Sequence, residues 1–264
     1  MQHTHVSPIH APNDAMGVDP GPNRPAAAEL VAATKHYGGG PSTVTALDGV
    51  DIAFPAGRFT AVMGPSGSGK STMMHCAAGL EQLSSGTARI DGTDLSTLDD
   101  RQLTRLRREQ VGFVFQAFNL VQNLSASENI CLPSALAGTR PDPDVFDEVV
   151  GMLGLGDRLR HRPAELSGGQ QQRVAVARAL VAQPKVIFAD EPTGNLDTRT
   201  GQEILGFLRA AVDEHARSIV MVTHDPGAAA WADNVVFVVD GRIHGVAEHP
   251  SAAAVLDTMA TLGR

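Results

Sequence analysis

The sequence predicts an α/β fold, on three observations. Short runs rich in β-branched residues alternate with helical patterns. A glycine-rich turn joins one such run directly to a helix, and the middle of the chain is helical and broken by prolines. Residues 1 to 28, rich in Pro, His, Asn and Ala without hydrophobic periodicity, read as a disordered tail. His3, His5 and His10 lie in this tail without the fixed geometry a metal site needs, and Met16 is an alternative start. Short β-rich segments follow at 29–33, 49–54 and 58–63. Next come GPSGSGKST and a helix on which Met73, Cys76, Ala77 and Leu80 recur at core spacing. Further strands are expected at 112–115, 185–190, 218–223 and 234–239. One separating helix, 201–212, carries Ile204, Leu205, Leu208, Ala211 and Val212 on one face.

Residues 117–178 differ in character. Val145, Val149, Met152 and Leu153 share a helical face, and breaks are expected at Pro133, Pro141, Pro143 and Pro163. This stretch reads as a helical subdomain inserted between strands. Residues 29–249 would then form one domain, and the Ala-rich end, 250–264, a terminal tail or helix.

Composition excludes several classes. The net charge of −8 argues against a broad basic surface, so no nucleic-acid partner is expected. Arg101, Arg105, Arg107 and Arg108 form the one basic cluster and read as a solvated helix face. No apolar run approaches the ~20 residues of a membrane span, and the first residues lack the pattern of a secretory signal. Cys76 and Cys131 match no metal-ligand spacing and read as small buried hydrophobes, with a disulfide as the alternative.

Gly64, Pro65, Ser66, Gly67, Ser68, Gly69, Lys70 and Ser71, followed by Thr72, fit the phosphate-binding pattern G-x-x-x-x-G-K-[ST]. Glycines let successive backbone N–H groups turn inward as an anion nest, and the helix that follows aims its positive end at the same point. Lys70 adds a full charge for the β- and γ-phosphates, and the Ser71 hydroxyl is a ligand for Mg²⁺. Such a match arises by chance on the order of once in a hundred chains of this length. The apolar run ending in Asp190 supplies the second half of such a site, with Asp190 holding Mg²⁺ through water. Glu191, one residue on, stands where a general base would polarise an attacking water.

Leu166, Ser167, Gly168, Gly169 and Gln170 resemble the signature of ABC ATPases. This five-residue match arises by chance about once in a few thousand chains. Ser167 and two glycines ahead of a helix make a second anion-binding helix end. The resemblance covers roughly residues 29–245. It implies a P-loop NTPase core with a small antiparallel β subdomain and an inserted α-helical subdomain. It also implies ATP and Mg²⁺ as cofactors, a second copy of the chain as partner, and an integral membrane permease encoded separately. The chain would then be cytoplasmic and peripheral on the inner face of the cell membrane. In that family the signature of one subunit closes on the γ-phosphate held by its partner.

By the same resemblance Tyr37 is the aromatic that stacks on adenine, and Gln116 reaches Mg²⁺ and the attacking water. Asn195, Leu196 and Asp197 form the loop crossing the dimer interface, and His224 is the switch histidine at the γ-phosphate. The runs 115–120, 170–173 and 193–197 look like the lipoprotein-release and macrolide-export group, whose permeases are of the FtsX type. Residues 121–127 depart from the Pro-containing version of that pattern. Two alternatives stay open: an ATPase regulating a cell-wall or division-associated FtsX-like complex, and a soluble ABC ATPase.

Overall fold

The structure is a computed structural model and describes residues 25–262. His3, His5, His10, Met16 and the expected tail up to residue 24 lie outside the described residues. Among the described residues, β1 (Ala26–Tyr37), β2 (Val44–Pro55) and β3 (Phe59–Met63) lead into α1 (Lys70–Ala77). Next come β4 (Ser85–Ile90), β5 (Thr93–Asp94), α2 (Asp100–Gln110) and β6 (Val111–Phe115). The middle of the chain holds α3 (Ala126–Leu136), α4 (Pro143–Met152) and α5 (Gly168–Val181). The remainder alternates: β7 (Val186–Asp190), α6 (Thr198–Asp213), β8 (Ser218–Val222), α7 (Pro226–Ala229), β9 (Asn234–Val239), β10 (Arg242–Glu248) and α8 (Ala252–Leu262).

Two sheets result. The core sheet runs β10-β9-β3-β8-β7-β6, parallel except for the β9–β10 pair, and the second sheet runs β2-β1-β4-β5, antiparallel throughout. The core strands are covered on both faces, so β3 and β8 are buried at every position. Alternate residues serve opposite layers. Ala61, Met63, Ile187 and Ala189 pack with α5 and α6, whereas Val62 and Phe188 pack with α1 and the antiparallel sheet. α1 is thereby held between the two sheets, with Met73, Met74, Cys76 and Ala77 buried.

Several sequence expectations need correction. β1 begins at Ala26, so residues 26–28 belong to the strand rather than the tail; Ala27 and Ala28 are buried in it. α1 ends at Ala77, and Leu80, expected on its core face, is 42% exposed beyond the left-handed Gly79. Pro133 does not break a helix but sits inside α3, which ends three residues later at Leu136. Its missing N–H frees the carbonyl of Asn129 near a helix end already losing its bonds. Pro143 opens α4 rather than ending an element, as suits its fixed φ. α5 runs past residue 178 to Val181, and its buried side chains pack under β6 and β7. The arginine cluster is not wholly solvated: Arg107 donates to the Gly79 carbonyl and Arg108 to that of Leu136. Cys76 is buried, Cys131 is half-buried, and both are free thiols.

Candidate nucleotide site

The turn between β3 and α1 is set by glycines that admit no side chain. Gly64 has φ +157°, and a Cβ there would sit 2.0 Å from the Val238 carbonyl oxygen. Gly69 caps α1 in the left-handed region at φ +97°, where a Cβ would meet the Ala46 carbonyl at 2.2 Å. Both sheets therefore press on the loop, and the Gly241 N–H donates to the Ser68 carbonyl at 2.9 Å. Lys70 folds back over the turn, donating to the carbonyls of Gly64 at 2.9 Å and Pro65 at 2.6 Å. Burial lowers its pKa, while Glu191 and Asp190 nearby favour the charged form.

Asp190 ends β7 next to this loop. Burial raises its pKa first; His75 and hydrogen bonding by the Ser71 hydroxyl oppose that shift. Ser71 and Asp190 thus meet as two oxygen donors, the hard donor set that suits Mg²⁺. Among the described residues no cluster of three or more His, Cys, Asp or Glu side chains is placed to hold a metal. The pair instead fits an ion completed by phosphate oxygens and water.

Glu191 follows in the left-handed region at φ +46°, held by its N–H to the Val222 carbonyl (2.9 Å) and its own carbonyl to the Gly194 N–H (3.0 Å). Its carboxylate Oε2 lies 2.6 Å from Nδ1 of His224, at the end of β8. Gln116, just past β6, sits across the same space. A Cβ on Gly194 would come 2.7 Å from Gln116 Nε2 and 3.3 Å from Glu191 Oε2. The structure therefore brings together Lys70, Ser71, Gln116, Asp190, Glu191 and His224 at the C-terminal ends of the parallel strands. That is where open α/β sheets place their ligand sites.

Tyr37 stands at the rim, 39% exposed, with its hydroxyl on Glu81 and 3.4 Å from the Thr72 hydroxyl. The Lys35 ammonium lies 5.0 Å from its ring centroid. Burial, then the Glu81 carboxylate, raises the Tyr37 pKa.

The second candidate anion-binding end, at residues 166–170, lies apart. Ser167 caps α5: its hydroxyl accepts from the Gln170 N–H and Gln170 Oε1 accepts from the Ser167 N–H. Ser167, Gly168, Gly169 and Gln170 line a cavity of about 380 Å³ together with Asn195, Leu196 and Asp197, and none of its lining comes from residues 64–72. Leu166, just before Ser167 in the chain, is buried. Asp197 caps α6 by accepting from the N–H and hydroxyl of Thr200, and a Cβ on Gly169 would meet the Thr200 methyl at 2.5 Å. Asn195 ties this region to the first: its Oδ1 accepts from Gln116 Nε2 at 3.3 Å and its Nδ2 donates to the Gln116 carbonyl at 2.9 Å.

Three residues that hold these loops went unread in the sequence. Asn129, fully buried, binds the 121–125 turn through its amide; its one signal was a lone Asn following the capping pair Ser125 and Glu128. Gln172 and Arg178 on α5 reach Pro192 and residues 118–119, and helical spacing alone gave no sign of either contact.

A glycine cradle between strand and helix, with an acidic strand end beside it, defines a P-loop nucleotide-binding domain. The sequence profile of the family described as ABC transporter matches residues 47–194, and the chain belongs to that family. It is 42% identical over 229 residues to the lipoprotein-releasing system ATP-binding protein LolD of Anaeromyxobacter dehalogenans, covering 86% of this chain and 96% of that one. It is 45% identical over 228 residues to the macrolide export ATP-binding/permease protein MacB of Marinobacter nauticus; the match covers 85% of this chain but 35% of the relative. The chain thus spans about a third of the length of such macrolide-export relatives. A solved structure of a dimeric ATP-binding cassette, in a post-hydrolysis state bound to ADP and Pi, superposes with a TM-score of 0.77 at 37% identity. That superposition covers 85% of this chain and 99% of the other.

Proposed function

We propose that this chain is the ATP-binding and ATP-hydrolysing subunit of an ABC transport complex, in which two copies pair head to tail and drive a membrane permease of the lipoprotein-release or macrolide-export type. The carrying observation is the Glu191 carboxylate, held 2.6 Å from His224 at the strand ends beside the phosphate loop. In this reading residues 64–72 cradle the phosphates, with Lys70 on the β- and γ-groups. Adenine stacks on Tyr37, which stands 39% exposed at the rim with the Lys35 ammonium over its ring. Ser71 and Asp190, the latter through water, would hold Mg²⁺, with Gln116 alongside. When bound, the ion neutralises charge building on the phosphate oxygens. Glu191 takes the proton from the attacking water, and His224 orients that carboxylate while reaching toward the γ-phosphate.

Pairing is supported by the separation of the two anion sites. Ser167–Gln170 shares its cavity with residues 195–197 and with no phosphate-loop residue, so a second chain is what brings that helix end onto a nucleotide. No described helix is long and apolar enough to cross a membrane.

The test is Glu191→Gln. The variant should keep ATP affinity, lose turnover by about 10²- to 10⁴-fold, and accumulate as an ATP-bound dimer in light scattering. Rapid turnover by this variant would remove Glu191 from the base role. Purification of the tagged chain from detergent-solubilised membranes should recover a permease with a large extracytoplasmic domain. Recovery of an importer permease with a binding protein overturns the subgroup.

A further inference from the structure

The helix that carries the signature touches both hydrolytic segments of its own chain. Gln172, one turn into α5 and fully buried, donates from Nε2 to the Pro192 carbonyl at 2.6 Å. Pro192 directly follows Glu191, and its ring locks its own φ, so the peptide gripped by Gln172 moves with the Glu191 turn. Further along the helix, Arg178 donates from Nη1 to the Asn119 carbonyl at 2.7 Å and from Nη2 to the Phe118 carbonyl at 3.1 Å. Phe118 and Asn119 are both left-handed, at φ +61° and +50°, two and three residues after Gln116. A planar guanidinium matches two successive carbonyls, which an ammonium does not.

We propose that Gln172 and Arg178 are positioning residues through which α5 holds, in the same chain, both the Glu191 turn and the segment behind Gln116 in register with the signature end at Ser167. The proposal rests on the ATPase reading for its catalytic consequence, but the tethers themselves are a statement about this fold. The helix is continuous from Gly168 to Val181, and its first turn is pinned against α6 where Gly169 meets Thr200. A displacement of the Ser167 end, such as an anion seated there would cause, is therefore delivered to both loops by a rigid element rather than through flexible chain. Asn195 adds a third tie by joining Gln116 to the loop beside the signature cavity. Both tethers end on backbone carbonyls, so they constrain loop position without contributing a side chain to the nucleotide.

The experiment compares Gln172→Met and Arg178→Lys with the wild-type full chain. Amide hydrogen exchange of the nucleotide-free protein should rise about tenfold or more over residues 193–196 in the first variant, and over 117–121 in the second, with the other loop unchanged in each. ATP affinity by equilibrium binding should stay within about twofold while kcat falls about tenfold or more. Exchange equal to wild type in a folded variant overturns the tether, as does a general rise across all loops with affinity and kcat falling together. Should Gln172→Met fail to fold, Arg178→Lys decides the proposal alone. If the wild-type chain proves unable to hydrolyse ATP, the ATPase reading fails while the exchange data still decide the tethers.

Discussion

Replacing Asn129 by Ala should weaken the protein out of proportion to the atoms removed. The side chain is fully buried on α3. Its Oδ1 accepts from the Val121 N–H at 2.8 Å, and its Nδ2 faces the carbonyls of Val121, Leu124 and Ser125 at 3.1, 3.2 and 3.0 Å. Two amide hydrogens shared by three acceptors, plus the one accepted bond, amount to roughly three good bonds, each worth about 1 kcal/mol net. Val121 is 43% exposed, so water recovers part of the loss; about 2–3 kcal/mol should remain. At roughly 2–4 °C per kcal/mol for a chain of this size, the melting temperature should fall by about 5–10 °C. Asn129→Asp is the sharper variant, because it keeps the accepting oxygen and turns a donor into a second oxygen against three carbonyls. It should lose more than Ala at pH 7.5, by burying an unpaired charge. Melting followed by circular dichroism reads both. An Ala variant within about 2 °C of wild type, or an Asp variant milder than Ala, would sink the reasoning.

Gly69→Ala should abolish ATP binding in equilibrium titration, since its Cβ would lie 2.2 Å from the Ala46 carbonyl at a φ of +97°; binding within tenfold of wild type refutes that geometry. Asp190, with its folded pKa raised chiefly by burial above 3.8, binds its proton more tightly folded than unfolded. Its favourable contribution is therefore complete below pH 3.8 and is lost as pH rises through the folded value. Asp190→Asn should thus melt higher than wild type at pH 7 in chelator, with the gain shrinking toward pH 4; an advantage that grows on acidification is the contrary result. Cys76, buried and with its thiol pushed up to about 11, should resist alkylation at pH 8 long after Cys131 has reacted. Mass spectrometry of timed digests checks the order, and equal labelling contradicts it.

The parallel core strands were legible because each is an apolar run buried on both faces, and periodicity is enough to find such runs. β4 and β10 were not. In β4 only Ala88 and Ile90 are buried, and β10 is an edge strand with no fully buried residue, so neither run stands out from loop sequence. The candidate site residues could be named because residues 64–72, 166–170 and 190–191 are glycines, hydroxyls and charges at fixed spacing within short stretches of sequence. What holds those loops was not legible. Gln172 to Pro192, Arg178 to residues 118–119 and Asn195 to Gln116 join positions brought close only by folding. A polar residue on a helix carries no mark of which distant carbonyl it will reach.

Two groups of described non-glycine residues at positive φ differ in what holds them. Asp91, Gln183 and Asp240 take positive φ in turns that join neighbouring elements, as short connections often require. Phe118, Asn119 and Glu191 take it beside the strand ends that carry Gln116 and Asp190, and each has its conformation fixed by a bond from elsewhere in the fold. Arg178 holds the first two carbonyls, and the Val222 carbonyl holds the Glu191 N–H. Such conformations cost on the order of 1–3 kcal/mol apiece and persist only where surrounding structure over-determines them. Asp190 adds an electrostatic strain at the same point, a carboxylate whose burial disfavours its charge. The costs at Phe118, Asn119, Glu191 and Asp190 fall together at or just beyond the ends of β6 and β7. A cation and a phosphate chain seated there would relieve the charge, and backbone held in advance would not need to reorganise to receive them.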